Sequence, residues 1–310
     1  MRTAKRMRKL LTVLAVIVVL VLIGAGLLQW QRSVNETKGP LPGAQGPAPE
    51  QPAWCPAVEV VAAPGTWESA ADDDPIHPHA NPRSFMLSIT DPIQQRYPEN
   101  QVKVWTLPYT AQFKNVNAQQ EMSYDQSRQE GTSKLENELQ TMHNQCPNTR
   151  YILSGFSQGA VIVGDIASRI GQGAGVIPAD RVLGVAIVAD GRREPGVGIN
   201  PGVEVGGVGA EVALAPVSAL VQPIVPGATM RGPREGGFGE LQDRTFSICA
   251  PNDSICDAPR DLGNAMARAQ ALVSANGVHA QYATNPGVIP GTTANQWVVG
   301  WVNGLIDANN

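Results

Sequence analysis

YILSGFSQGAVIVGDIASRI, residues 151–170, is the stretch from which the fold can be read. Tyr151-Ile152-Leu153 is a short apolar run of strand-forming residues. From Gln158 to Ile170, Ala160, Val161, Val163, Gly164 and Ala167 follow helical spacing and face inward. Between strand and helix lies Gly155-Phe156-Ser157-Gln158-Gly159, a G-x-S-x-G pattern. A strand that turns directly into a helix through a glycine-flanked serine is a nucleophile elbow. The turn is so tight that side chains at 155 and 159 would strike neighbouring backbone, hence glycine. The helix start then aims unpaired N–H groups at the space beside the serine.

Outward from the elbow, further strands are expected at 57–63, 102–107, 182–188 and 245–248, and helices at 124–146, 261–275 and 296–306. Short apolar strands alternating with helices predict an α/β three-layer sandwich, with a mainly parallel sheet of about five strands between helical layers. Residues 191–239 interrupt the alternation: they are dense in Gly and Pro and carry one apolar stretch, Val212–Val225. They read either as a plain insertion or as a flap over a site.

The 310 residues include 23 Lys and Arg against 27 Asp and Glu, a net charge of −4. Six of the cations and none of the acids fall in residues 1–32, so the remainder carries 17 cations against 27 anions, a net of −10. That balance excludes a nucleic-acid binder, which needs a basic face to displace counterions from phosphate. With 32 glycines and 25 prolines the chain is rich in turns, yet 43% apolar residues supply an ample core.

Behind the basic flank Arg2–Lys9, residues 10–28 are apolar apart from Thr12, Gly24 and Gly26. Such a run spans about 28 Å as a helix, close to a bilayer's hydrocarbon thickness. It reads as an uncleaved signal-anchor with the rest of the chain outside the cytoplasm. The alternative is a secretory signal cut near Gly24-Ala25-Gly26. Residues 33–54, punctuated by Gly and Pro, read as a linker to a folded domain over 55–310. Cys55, Cys146, Cys249 and Cys256 fit two disulfides of an exported domain, the near neighbours favouring Cys249–Cys256 with Cys55–Cys146. Zinc-ligand spacings are lacking, so no metal is expected.

An activated serine needs a base, and histidine suits neutral pH. His77 and His79 lie in a proline-rich acidic loop, and His143 falls in the last turn of a helix, where it complements the dipole. His279 follows the fifth strand, in the order Ser, acid, His of the α/β hydrolases. Asp253, Asp257 and Asp261 fit as the acid by order. Only Asp253 lies between Cys249 and Cys256, where a small ring would fix the loop that orients the imidazole. Asp261 suits a helix N-terminus.

The Gly-Phe-Ser-Gln-Gly elbow, the Cys-x-x-x-Asp-x-x-Cys bracket around Asp253 and the histidine that follows resemble the cutinase family, over about Cys55 to the C-terminus. Cys55 and Cys146 lie near the positions of that family's other disulfide, and Ser127–Gly131 is similar to its Ser-x-x-Glu-Gly helix start. With the apolar N-terminus and linker, the chain is most similar to envelope-associated members from mycolate-containing actinobacteria. The resemblance implies a cutinase-like α/β-hydrolase fold and a triad of Ser157, Asp253 and His279. It also implies an oxyanion hole from the Gln158 backbone and Thr66, a position where the family often has serine. It implies a serine esterase of lipase, phospholipase or thioesterase type. Anchoring beside a lipid layer favours acyl lipids as substrate, and a monomer that needs no cofactor is expected. Acyl transfer within the envelope and a silent lipid-binding domain are the alternatives. Two departures bear on substrate choice: 191–239 is longer than in the small fungal members, and Trp67 follows the proposed donor.

Overall fold

The computed structural model describes residues 51–261, 263–274 and 277–309. The apolar run at 10–28 and the linker up to residue 50 lie outside the described residues. Among the described residues, no helix is long and apolar enough to cross a membrane.

Five strands, β1 (Val58–Ala63), β2 (Val102–Thr106), β3 (Arg150–Phe156), β4 (Val182–Val188) and β5 (Thr245–Ile248), pair in parallel in the order β2-β1-β3-β4-β5. Their side chains alternate between two cores. Val58, Val60 and Ala62 of β1 join one cluster, while Val61 and Ala63 join the other. Helices α1 (Leu87–Arg96) and α5 (Ala294–Asp307) cover the first face through Ile89, Ile93, Val298, Val302 and Ile306. Helices α2 (Tyr124–Gln145) and α3 (Gln158–Gly171) cover the second through Leu135, Leu139, Ile162, Ile166 and Ile170. Each such side chain contributes about 1.5–3 kcal/mol on burial, so both faces of the sheet are sealed by side-chain packing. Helix α4 (Ala265–Ser274) packs through Ala269 into a smaller, separate cluster.

The expected α/β three-layer sandwich is the observed fold. Helix α1 is not among the expected elements, and it carries a proline, Pro92, inside it. Met86, Ile89 and Ile93, at helical spacing and fully buried, hold it together in spite of the proline. Helix α2 starts on a capping box between Ser123 and Gln126. Gly131 lets α2 approach α3: a Cβ there would lie 2.7 Å from the Ile162 side chain. The disulfides are Cys55–Cys146 and Cys249–Cys256.

Candidate active site

The strand order reverses between β1 and β3, and in parallel sheets the crevice at the carboxyl ends of such a pair is where ligands bind. Strand β1 runs out there into Pro64-Gly65-Thr66, and β3 into Ser157. Ser157 has φ 53° and ψ −117°, a strained backbone for a residue with a side chain, at a cost of about 1–3 kcal/mol. It is held by its N–H donating to the Val188 carbonyl (2.9 Å) and its carbonyl accepting from Val161 N–H (3.1 Å). The flanking glycines are needed for space. A Cβ on Gly155 would come within 2.4 Å of the Gly159 carbonyl oxygen, and one on Gly159 within 2.0 Å of that of Ala63.

Three of the expected site residues meet at this turn. Ser157 Oγ lies 2.9 Å from His279 Nε2, and His279 Nδ1 lies 2.9 and 3.1 Å from the two Asp253 oxygens. A carboxylate only accepts, so it places the imidazole proton on Nδ1 and leaves Nε2 to accept from the serine hydroxyl. Asp253 is completely buried inside the Cys249–Cys256 ring. It also accepts from Tyr282 Oη (2.7 Å) and Ile255 N–H (2.9 Å). Phe156 stacks on His279 with ring centres 5.1 Å apart.

The other candidates have different partners. Asp257 accepts from Gly207 and Asn252 N–H, and Asp261 from Gly263 N–H. His79 pairs with Asp73, and His143 ends α2, where burial holds its imidazole below the usual range.

Thr66 and Gln158 are also together. The Thr66 hydroxyl donates to Gln158 Oε1 (3.0 Å), and Gln158 Nε2 donates to Ser127 Oγ (2.8 Å). Ser127 in turn donates to the Thr110 carbonyl. Gln158 opens α3, so its N–H has no helix carbonyl a turn behind it to bond. The hydroxyl of Thr66 is thus committed to orienting the turn, which leaves main-chain N–H groups as the natural anion donors.

Around these residues lies a cleft of about 790 Å³. Phe113, Tyr124, Met230 and Leu272 form an apolar part of its wall, and Ser84, with Ser88 and Gln95 of α1, also lines it. Residues 212–225 do not line it. Leu214, Val221, Ile224 and Val225 instead sit behind Met230 and Tyr124, in a cluster with Ala269 of α4. The apolar residues of 212–225 are thus used in that cluster.

A buried charge network secures the same segment. Asp165 on α3 accepts from Arg192, Arg231 and Arg234 at 2.9, 2.5 and 2.8 Å, Asp190 pairs with Arg234, and Glu211 pairs with Arg231. Three cations and three anions balance. Burial alone would raise the Asp165 carboxyl, but the guanidiniums outweigh it and hold it well below the usual range. Sequence reading missed this network, Tyr282 and Glu68. Only Tyr282 left a local trace, three residues after His279 in one helical turn.

Comparison with known proteins shows the family. The family model described as Cutinase matches residues 54–299. The chain is 64% identical over 307 residues to the Carboxylesterase Culp6 homolog of Corynebacterium glutamicum, covering 97% of this chain and 99% of that protein. Among solved structures it is similar to a cutinase-like protein from Cryptococcus sp., at 17% identity and TM-score 0.50, over 83% of this chain and 98% of that one. The catalytic core domain of acetyl xylan esterase from Trichoderma reesei aligns at 18% identity and TM-score 0.48, over 83% of this chain and 100% of that one. The chain belongs to the cutinase family and is a carboxylesterase of the serine type.

Proposed function

We propose that this cutinase-family esterase cleaves acyl lipids with Ser157 as nucleophile, His279 as general base and Asp253 as the residue that orients it. One observation carries the reading: Ser157 Oγ, His279 and Asp253 form a continuous hydrogen-bonded chain, each link 2.9 Å at its shortest, at a cleft with an apolar wall. Ser157 Oγ bonds to the acyl carbonyl carbon while its proton passes to His279 Nε2. The imidazolium then gives that proton to the leaving alcohol or thiol, and the acyl group stays on Ser157. Water repeats the sequence in reverse roles and releases the acid. The N–H groups of Gln158 and Thr66 hold the oxyanion, helped by the dipole of α3.

Phe113, Tyr124, Met230 and Leu272 favour a long acyl chain over an acetyl group. The apolar run at 10–28 supports a membrane-held enzyme with its catalytic domain outside the cytoplasm. A fluorophosphonate should add once to the native protein, read by intact mass, and not to Ser157→Ala. Labelling of both forms, or of neither while the protein is folded and oxidised, would overturn the reading. Membrane fractionation checks the tether: full-length protein should sediment with membranes and a chain starting near residue 45 should not.

A further inference from the structure

The turn after β1 and the shelf beneath His279 are joined by a single carboxylate that the mechanism above does not use. Glu68 Oε2 accepts from Gly65 N–H at 2.9 Å and from Ser84 Oγ at 3.1 Å, and Oε1 accepts from Phe85 N–H at 2.7 Å. Glu68 N–H returns to the Gly65 carbonyl (3.1 Å), closing residues 65–68 into a turn with Thr66 at its tip. On the other side, the Phe85 ring lies 4.7 Å from Phe156, which is the ring stacked on His279. Gly65 itself is pressed against the same ring, since a Cβ there would lie 2.9 Å from Phe156 Cδ1.

We infer that Glu68 is a positioning residue that sets the oxyanion turn and the imidazole shelf relative to each other. Its carboxylate faces donors from both sides, so it fixes the Gly65–Thr66 turn through one oxygen and Phe85 through the other. A group with acceptors on both ends is needed. An amide would turn its own N–H₂ toward a backbone N–H and break one of the two links. Small displacements between an oxyanion donor and a base act on the transition state more than on substrate binding, because both groups reach full strength only there.

The inference rests on the roles given above to Ser157, His279 and the Thr66 turn, and its test separates the two. In Glu68→Gln, assayed on a short-chain p-nitrophenyl ester, kcat should fall roughly 10- to 100-fold while KM stays within about threefold. A folded Glu68→Gln protein with kcat within about twofold of the parent, or with a loss carried by KM alone, would overturn it. Should Glu68→Gln not fold, Glu68→Asp decides. That variant keeps the charge but is one methylene too short to span Gly65 and Phe85. A fall in kcat of roughly fivefold or more at unchanged KM supports the inference, and parental kinetics overturn it. Ser157→Ala is the control: hydrolysis surviving in it would sink the catalytic assignment itself. A silent Ser157→Ala beside parental Glu68 variants would sink only this inference.

Discussion

Tyr282 Oη donates at 2.7 Å to Asp253 Oδ2, the same oxygen that His279 Nδ1 reaches at 2.9 Å. Burial first, and the Asp253 charge second, push the Tyr282 phenol well up, so it stays a donor at neutral pH. The phenol oxygen accepts from Ala250 N–H (2.9 Å), so the carboxylate is anchored to the exit of β5 as well as to the disulfide ring. Tyr282→Phe keeps the ring contacts with Phe85 and Phe156 but leaves a buried N–H unpaired. It should cost about 1–3 kcal/mol in urea denaturation and lower kcat about three- to tenfold. An unchanged unfolding midpoint together with unchanged kcat would remove Tyr282 from the account.

Thr66 differs from serine by a methyl group, and its hydroxyl is used to hold Gln158. Thr66→Ser should therefore keep activity within about twofold, while Thr66→Val removes the donor to Gln158 Oε1 and should lower kcat roughly tenfold at similar KM. Comparable kinetics for the Ser and Val forms would show that the hydroxyl does not matter.

Asp165 shares three arginines with Asp190 and Glu211 in a buried and balanced network. Asp165→Asn leaves an excess buried positive charge and should destabilise the fold by about 3–5 kcal/mol. The folded carboxyl is depressed, so its stabilisation is present above the usual aspartate range and lost as pH falls below 3.8. Chemical denaturation at neutral and acid pH checks both points. The gap between parent and variant should be wide at pH 7 and narrow in acid.

Glu59 is fully buried on β1 and shares Lys103 with Glu138. Burial pushes its carboxyl up to about 8, with Lys103 opposing. A carboxyl raised in the folded state favours folding below its unfolded value, and that benefit fades as pH climbs through the folded one. Between pH 4.5 and about 8 this group should erode stability, and Glu59→Gln should flatten the decline. Thermal melts of both proteins across that interval provide the comparison. Parallel curves would mean that Glu59 is ionised throughout.

The elbow was legible because three constraints coincide in a few residues: a strand, a helix start, and two glycines with no room for a Cβ. Asp253 was legible for a similar reason, since two cysteines seven residues apart mark a ring around it. Helix α1 was hidden, because a local proline rule points one way while burial of Met86, Ile89 and Ile93 decides the other. Glu68 and the arginine network left no mark at all. Gly65 lies only three residues from Glu68, but the partners that give Glu68 its bridging role lie 16 and 17 residues away, and those of the arginines 20 to 69, beyond what a local pattern can carry.

The β2-β1-β3-β4-β5 order distributes the chemistry along almost the whole folded length, from Thr66 after β1, through Ser157 after β3, to Asp253 and His279 after β5. During synthesis this has a consequence in time. A ribosome that has delivered the first 260 residues has made the serine, the oxyanion turn and the acid, but not the base. On the roles proposed above, such a chain lacks its base, so hydrolysis should await the emergence of His279 and of α5, which covers one face of the sheet.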